Sequence, residues 1–199
     1  MAAEARGALV PNLPAHVSGV LERLWSSGHA AYVVGGSLRD AHLGRPTADH
    51  DLTTDARPER IVELFPGAIY ENRFGTVLVR VEGEGVEVTT FRSDHDYADF
   101  RRPSRVEFGD RIEEDLARRD FTINALAWGR RADEGTPRLV DPFGGAGDID
   151  ARLIRAVGDP GSRFHEDALR MVRAVRLAAT LECRVDPPTL AAIGEHAPL

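Results

Sequence analysis

With 199 residues the chain can bury one well-formed core with a helical appendage, and 42% hydrophobic against 29% charged residues is the balance of a globular protein, not of a disordered or fibrous one. A formal net charge of −7 argues against a protein that coats nucleic acid generically, though not against an enzyme that gathers cations with carboxylates. No run approaches the roughly 18 apolar residues that span a bilayer, residues 1–14 lack a secretory signal pattern, and the one cysteine, Cys183, has no internal disulfide partner, so a cytoplasmic protein without a membrane contact is expected.

Residues 16–28 place Val17, Val20, Leu21 and Leu24 at helical spacing, ended by Gly28. Residues 30–34 are a continuous apolar run, the pattern of a buried strand, and they break at Gly35-Gly36. A short helix carrying Arg39 opens there. Glycines let backbone N–H groups approach a phosphate, and a helix N-terminus adds partial positive charge, so the turn reads as a phosphate cradle. A second strand is expected over 47–53, on which Asp49 and Asp51 share one side and reach one divalent cation while His50 points away. Cradle and clamp together suit phosphoryl or nucleotidyl transfer. All 25 basic side chains are arginine, so every cationic phosphate contact has the forked, bidentate geometry of a guanidinium.

Residues 58–65 read as a short helix with Pro58 in its first turn and Pro66-Gly67 after it. Strands are expected over 76–81 and 86–91, joined by Glu82-Gly83-Glu84-Gly85, a hairpin signal but not one of the tight Asn-Gly kind. Alternation puts Glu87 opposite to Val86 and Val88. It is either a third carboxylate for the clamp or a solvated strand glutamate. Residues 93–110 are polar, arginine-rich and aperiodic, which predicts a functional or mobile loop. Residues 113–126 predict a short helix, a turn and a second helix. At that turn Asp120 is either a simple N-cap or, with Asn124, a reader of a ribose hydroxyl, while Arg119 is placed to hold a triphosphate.

A strand ending in a glycine-rich turn follows at 139–145, then a short helix over 147–151 and a strand over 153–157. Gly158-Asp159-Pro160-Gly161 is the strongest punctuation in the chain and divides it into 1–158 and 159–199. Beyond it a helix over 164–181 gathers Arg170, Arg173 and Arg176 on one side, with Met171, Val172, Val175 and Ala178 opposite. The basic side is either a wet face or, with Asp167 one turn before Arg170, a carboxylate–guanidinium pair for a planar ligand. Pro187-Pro188 ends this element, and 189–196 begins another helix. Cys183, in an apolar helical context, reads as a small buried hydrophobe.

Six segments occur in order: Gly35-Gly36-Ser37-Leu38-Arg39-Asp40, Asp49-His50-Asp51-Leu52-Thr53-Thr54, Glu87-Val88-Thr89-Thr90-Phe91-Arg92, Arg118-Arg119-Asp120-Phe121-Thr122-Ile123-Asn124-Ala125, Asp141-Pro142-Phe143-Gly144-Gly145 and Glu166-Asp167-Ala168-Leu169-Arg170. Together they resemble the class II tRNA nucleotidyltransferases (CCA-adding enzymes) and the related bacterial poly(A) polymerases, over about residues 30–182. The resemblance implies an α/β (α+β) fold: a polymerase-beta-like nucleotidyltransferase head with a mixed sheet, followed by a partial helical neck. It implies that Asp49 and Asp51 bind catalytic Mg2+, with Glu87 as the third catalytic carboxylate. Gly35, Gly36 and Arg39 would meet the triphosphate, and Arg119, Asp120 and Asn124 the nucleotide and its ribose.

In the neck the resemblance implies that Asp167 and Arg170 form a protein template for the base, supported by Arg173 and Arg176. A carboxylate accepts from the exocyclic amine of cytosine or adenine, and a guanidinium donates to the neighbouring ring acceptor. Uracil and guanine present the opposite pattern, at a cost on the order of 1–3 kcal/mol. The implied activity is therefore two-metal addition of CMP and AMP, from CTP and ATP, to the 3′ end of tRNA. Poly(A) polymerases, and enzymes adding only CC or only A, share these motifs; the loop 94–103 looks more like the CCA-adding form. The neck is expected to be incomplete and the body and tail missing, so the rival reading is a fragment that binds CTP and ATP but extends tRNA poorly.

Overall fold

The computed structural model describes residues 10–47, 49–70, 74–97 and 103–197. Its elements are α1 (Ala15–Ser26), β1 (Ala31–Val34), α2 (Gly36–His42), β2 (Asp51–Thr54), α3 (Pro58–Leu64), β3 (Ile69–Tyr70), β4 (Thr76–Val81), β5 (Glu84–Thr90), β6 (Arg92–Tyr97), β7 (Pro103–Phe108), α4 (Ile112–Ala117), β8 (Ala127–Arg130), β9 (Arg138–Val140), α5 (Gly145–Asp150), β10 (Leu153–Ile154), α6 (Pro160–Glu166), α7 (Leu169–Leu181), β11 (Arg184–Val185) and α8 (Pro187–His196). Seven strands form the main sheet in the order β3-β4-β5-β2-β1-β8-β9. β1 lies antiparallel to β2 and β8, whereas β2 and β5 run parallel, so the sheet is mixed as expected.

β1 lies inside the sheet with both faces covered, which is why its sequence is apolar without alternation. Ala31 and Val33 join Leu52, Val79 and Val88 in a core cluster with Leu21 and Leu24 of α1 and Ile61 of α3. Tyr32 and Val34 point to the other side, among Phe91, Ile112, Leu116 and Ala127. Ala174, Leu177 and Leu181 of α7 belong to the first cluster, so the core runs across the glycine–proline punctuation at 158–161. Beyond it come α6, α7 and α8, with β11 reaching back to pair with β10, and Asp159 Oδ1 caps α6 by accepting from Ser162 N at 2.8 Å.

Several expectations change. The β4–β5 turn is tight after all: Glu82 and Gly83 both take positive φ, +54° and +89°, the backbone of a two-residue hairpin turn. Residues 93–110, expected as a loop, are largely the antiparallel hairpin β6–β7; the tip at 98–102 lies outside the described residues. After Asp120 there is a 3-10 turn, Thr122–Asn124, in place of a second helix, because Phe121 bridges to Ala156 and the Thr122 hydroxyl donates to Asp148 at 2.6 Å. The expected strand at 153–157 is the two-residue β10, paired in parallel with β11. Pro187 opens α8 in its first turn. Cys183 lies past the end of α7, half-buried, with its thiol pushed up by that burial. No helix among the described residues is long and apolar enough to cross a membrane.

Tyr32, 2% exposed, gives a direct test of the second core face. Burial, with the charge of Glu134 second, pushes its phenol up to about 12. The folded chain then keeps this proton to higher pH than the unfolded chain, so stability falls as pH rises from 10 through 12. Over that window the parent will lose about 2 kcal/mol more stability than Tyr32→Phe, read from urea unfolding at pH 8 and pH 11.5.

Candidate active site

The turn that ends β1, the stretch that follows α4 and the first turns of α7 enclose a cavity of about 370 Å3. Gly35 takes φ +77° and ψ −138°, a conformation that side chains rarely adopt, and a Cβ there would stand 3.2 Å from Arg119 Nη1. The bare turn therefore leaves the space that the Arg119 guanidinium fills. Of the residues singled out in the sequence, Gly35, Gly36, Arg39, Asp51, Arg119, Asp120, Asn124, Asp167, Arg170, Arg173 and Arg176 line the cavity. Arg118 and Leu177 complete its wall, while Asp49 and Glu87 are not part of it. Six of the lining residues are arginine and three are aspartate, and three further carboxylates, Asp40, Asp115 and Glu166, pair with arginines of this wall from outside the lining. Guanidinium donors gathered in a cleft favour an anionic ligand.

A chain of polar contacts crosses the cavity wall. Arg39 donates from Nε and Nη2 to Asp40, 3.0 Å in each case, and from Nη1 to Asn124 Oδ1 at 2.6 Å. Asn124 Nδ2 donates to Asp120 Oδ1 at 3.0 Å, and Arg173 Nε donates to Asp120 Oδ2 at 2.7 Å. Asp120 also accepts from Phe121 N at 2.8 Å. It is thus no helix cap; it ties the 118–124 stretch to α7, and a ribose hydroxyl would compete with Arg173 for its carboxylate.

The neck residues differ from the single helix expected. The chain breaks between α6 and α7, where Asp167 is extended at φ −147° and its Oδ1 accepts from Leu169 N at 3.0 Å. Asp167 and Arg170 still line one cavity, on a turn and on the helix it starts. Nor is Arg170 on a wet face: it is 8% exposed, donating from Nη1 to Glu166 Oε2 at 2.7 Å and from Nη2 to Arg118 O at 3.1 Å. The apolar side has rotated correspondingly. Ala174 and Leu177 are buried, whereas Val172 and Val175, expected opposite the arginines, are 66% and 60% exposed.

The expected metal clamp is also built differently. The last β1–β2 ladder pair is Val34 with Asp51, because β1 turns away at Gly35. Asp49 and His50 therefore precede the strand, and the shared-face argument does not apply to Asp49. Its charge still reaches Asp51. Partial burial raises the Asp51 carboxyl above its ordinary value, Asp49 pushes it further, and Arg119 opposes both. In β5, the parallel register of Leu52 with Val88 and Thr53 with Thr89 puts Glu87 on the sheet face that Asp51 shares, one residue before the paired stretch. Among the described residues no three His, Cys, Asp or Glu side chains form a group that would hold a metal by themselves. Asp51 in the cavity wall and Asp49, close enough for its charge to act on Asp51, are two hard oxygen donors. Mg2+ is bound by one or two carboxylates plus substrate phosphates, so the residues fit it.

Sequence reasoning gave no role to Arg118, Asp115 or Glu166. Asp115 is completely buried and receives both Arg118, at 2.9 Å, and Arg119, at 3.3 Å. The only signal was spacing: an aspartate three and four residues before two arginines on one helix end.

Residues 31–155 match the family model described as "Poly A polymerase head domain". The CCA-adding enzyme of Bacillus licheniformis is 50% identical over 181 residues, which are 90% of this chain and 44% of that enzyme. The crystal structure of the Bacillus stearothermophilus CCA-adding enzyme in complex with CTP superposes with a TM-score of 0.82 at 43% identity, over 92% of this chain and 43% of that one. A tRNA nucleotidyltransferase complexed with a primer tRNA and an incoming ATP analog matches with a TM-score of 0.72 at 29% identity, over 90% of this chain and 50% of that one. The chain thus spans less than half the length of the curated relatives it matches.

Proposed function

The chain belongs to the poly(A) polymerase head-domain family, and from that premise we propose that it is the catalytic part of a template-independent tRNA nucleotidyltransferase. It adds CMP and AMP, taken from CTP and ATP, to the 3′ end of tRNA in the cytoplasm, with a head through about residue 158 and the start of a neck beyond it. The carrying observation is one arginine-rich cavity with Asp51 and the Asp167–Arg170 pair both in its lining. Relatives with CTP, and with a primer tRNA and an ATP analog, support the nucleotide and the RNA as partners.

Asp49 and Asp51, with Glu87 alongside, would hold Mg2+, which when bound lowers the pKa of the attacking hydroxyl and offsets charge on the leaving pyrophosphate. The chain's own residues do the rest. Arg119 and Arg39 neutralise and orient the triphosphate, Asp120 and Asn124 meet the ribose, and Asp167 with Arg170 accepts only a base edge that offers an amine beside an acceptor.

Incubation with tRNA lacking its terminal CCA and one labelled nucleotide at a time tests the reading. CTP and ATP should be incorporated and UTP and GTP should not; UTP entering as fast as CTP would sink the base template. The family model's description favours one second reading, poly(A) polymerase, which predicts long A tails and no use of CTP.

A further inference from the structure

Asp115 lies in the last turn of α4, completely buried and outside the cavity wall. Its Oδ1 accepts from Arg118 Nε and Nη2 at 3.0 and 2.9 Å and from the backbone N of Arg92 at 3.4 Å. Its Oδ2 accepts from Arg119 Nη2 at 3.3 Å. The two arginines, adjacent in sequence and both in the cavity wall, are nevertheless held unequally. Arg118 grips Asp115 with two donors and also reaches Asp94 Oδ2 at 3.4 Å. Arg119 makes a single long contact to the carboxylate, and its Nε is buried without a hydrogen-bond partner among the described residues. Its Nη1 lies against the space left bare by Gly35, and its charge is felt at Asp51. A buried donor with no partner is expensive unless something else completes it.

We propose that Asp115 is a positioning residue for the nucleotide: it fixes one edge of the Arg119 guanidinium, leaving the rest of its donors for the triphosphate, while Arg118 serves mainly to hold Asp115 in place. The inference rests on the nucleotide-binding reading above and adds a residue that never touches the ligand. Buried ion pairs are weak evidence for stability by themselves, because their desolvation offsets their attraction. What a carboxylate between two guanidinium groups does supply is a fixed orientation for both.

Positioning and plain counter-charge predict opposite signs. Were Asp115 only a counter-charge, Asp115→Asn would leave one more unit of positive charge facing an anion, and CTP would bind more tightly. If Asp115 positions Arg119, the same variant weakens binding despite that added charge.

The test is calorimetric titration of the 199-residue chain with CTP, and separately with inorganic tripolyphosphate, in the presence of Mg2+. Asp115→Asn should raise the Kd for both ligands about tenfold, since roughly one charged hydrogen bond and one ordered side chain are lost. The double variant with Arg119→Ala should bind no more weakly than Arg119→Ala alone, because the effect passes through that arginine. Asp115→Glu, which keeps the charge and moves the carboxylate, should weaken binding as well. Unchanged or tighter binding by folded Asp115→Asn, or additive losses in the double variant, would overturn the proposal. So would unfolding of both Asp115 variants while Arg119→Ala remains folded, which would mark a purely structural residue. Failure of the parent chain to bind CTP would instead overturn the nucleotide reading, and this one with it.

Discussion

Asp51→Asn will lower nucleotide incorporation by about a thousandfold or more while raising the melting temperature of the ligand-free chain. The two halves of this result have one cause. Asp51 lines the cavity, and desolvation there raises its carboxyl above the ordinary value, with Arg119 opposing the shift and Asp49 adding to it. A carboxylate whose folded pKa is raised costs stability wherever it is ionised, so the unfolded chain gives up its proton first as pH rises. Asparagine has the same shape and no charge, which removes that cost at neutral pH. The same change removes a hard anionic donor from the proposed Mg2+ site. Parent and variant should therefore cross over: the parent gains melting temperature on addition of Mg2+ and CTP, whereas the variant gains little. Labelled CMP incorporation and thermal melting with and without Mg2+ read both effects. A variant that is less stable than the parent, or that keeps a tenth of its activity, would remove Asp51 from the clamp.

The residues that meet in the cavity were legible because they sit where the chain must punctuate. Gly35-Gly36 announces a turn whatever surrounds it, and φ +77° at Gly35 is the physical demand behind that glycine. What pairing decides was harder to see. Asp49 stands only two residues before Asp51, but strand geometry lasts only as long as a partner strand does, and β1 ends at Val34. The hairpin β6–β7 was invisible because its strands, Arg92-Ser93-Asp94-His95-Asp96-Tyr97 and Pro103-Ser104-Arg105-Val106-Glu107-Phe108, carry charged and polar residues where half-buried strands show apolar alternation. Helical periodicity placed the arginines of α7 on one arc but misjudged its environment. It treats every arginine as solvent-seeking, whereas Glu166 and two backbone carbonyls, those of Arg163 and Arg118, satisfy Arg170 inside the protein. That Glu87 shares a sheet face with Asp51 depends on a parallel register between β2 and β5, which no local pattern encodes.

The pair Asp167–Arg170 should set base choice, and the two residues will not respond alike to substitution. Arg170 is 8% exposed, and its guanidinium is shared with Glu166 and two backbone carbonyls, so Arg170→Ala leaves several buried groups unpaired and will cost about 2–4 kcal/mol of stability. A fall in activity there would be ambiguous. Asp167 is the cleaner probe. Its Oδ1 caps Leu169 N at 3.0 Å, so Asp167→Ala costs only about 1 kcal/mol of stability while removing the acceptor for an exocyclic amine. The ratio of kcat/KM for CTP over UTP should fall by about ten- to a hundredfold, the worth of one mismatched buried polar group. Asp167→Asn should go further, since its side-chain oxygen can keep the cap while the amide N–H₂ now donates to the carbonyl of uracil. UTP incorporation should rise above that of the alanine variant, with CTP use depressed, in single-nucleotide assays on tRNA lacking its terminus. A family of variants that all keep the parent's CTP preference would mean that the base edge is read by some other part of the cavity than the turn that starts α7.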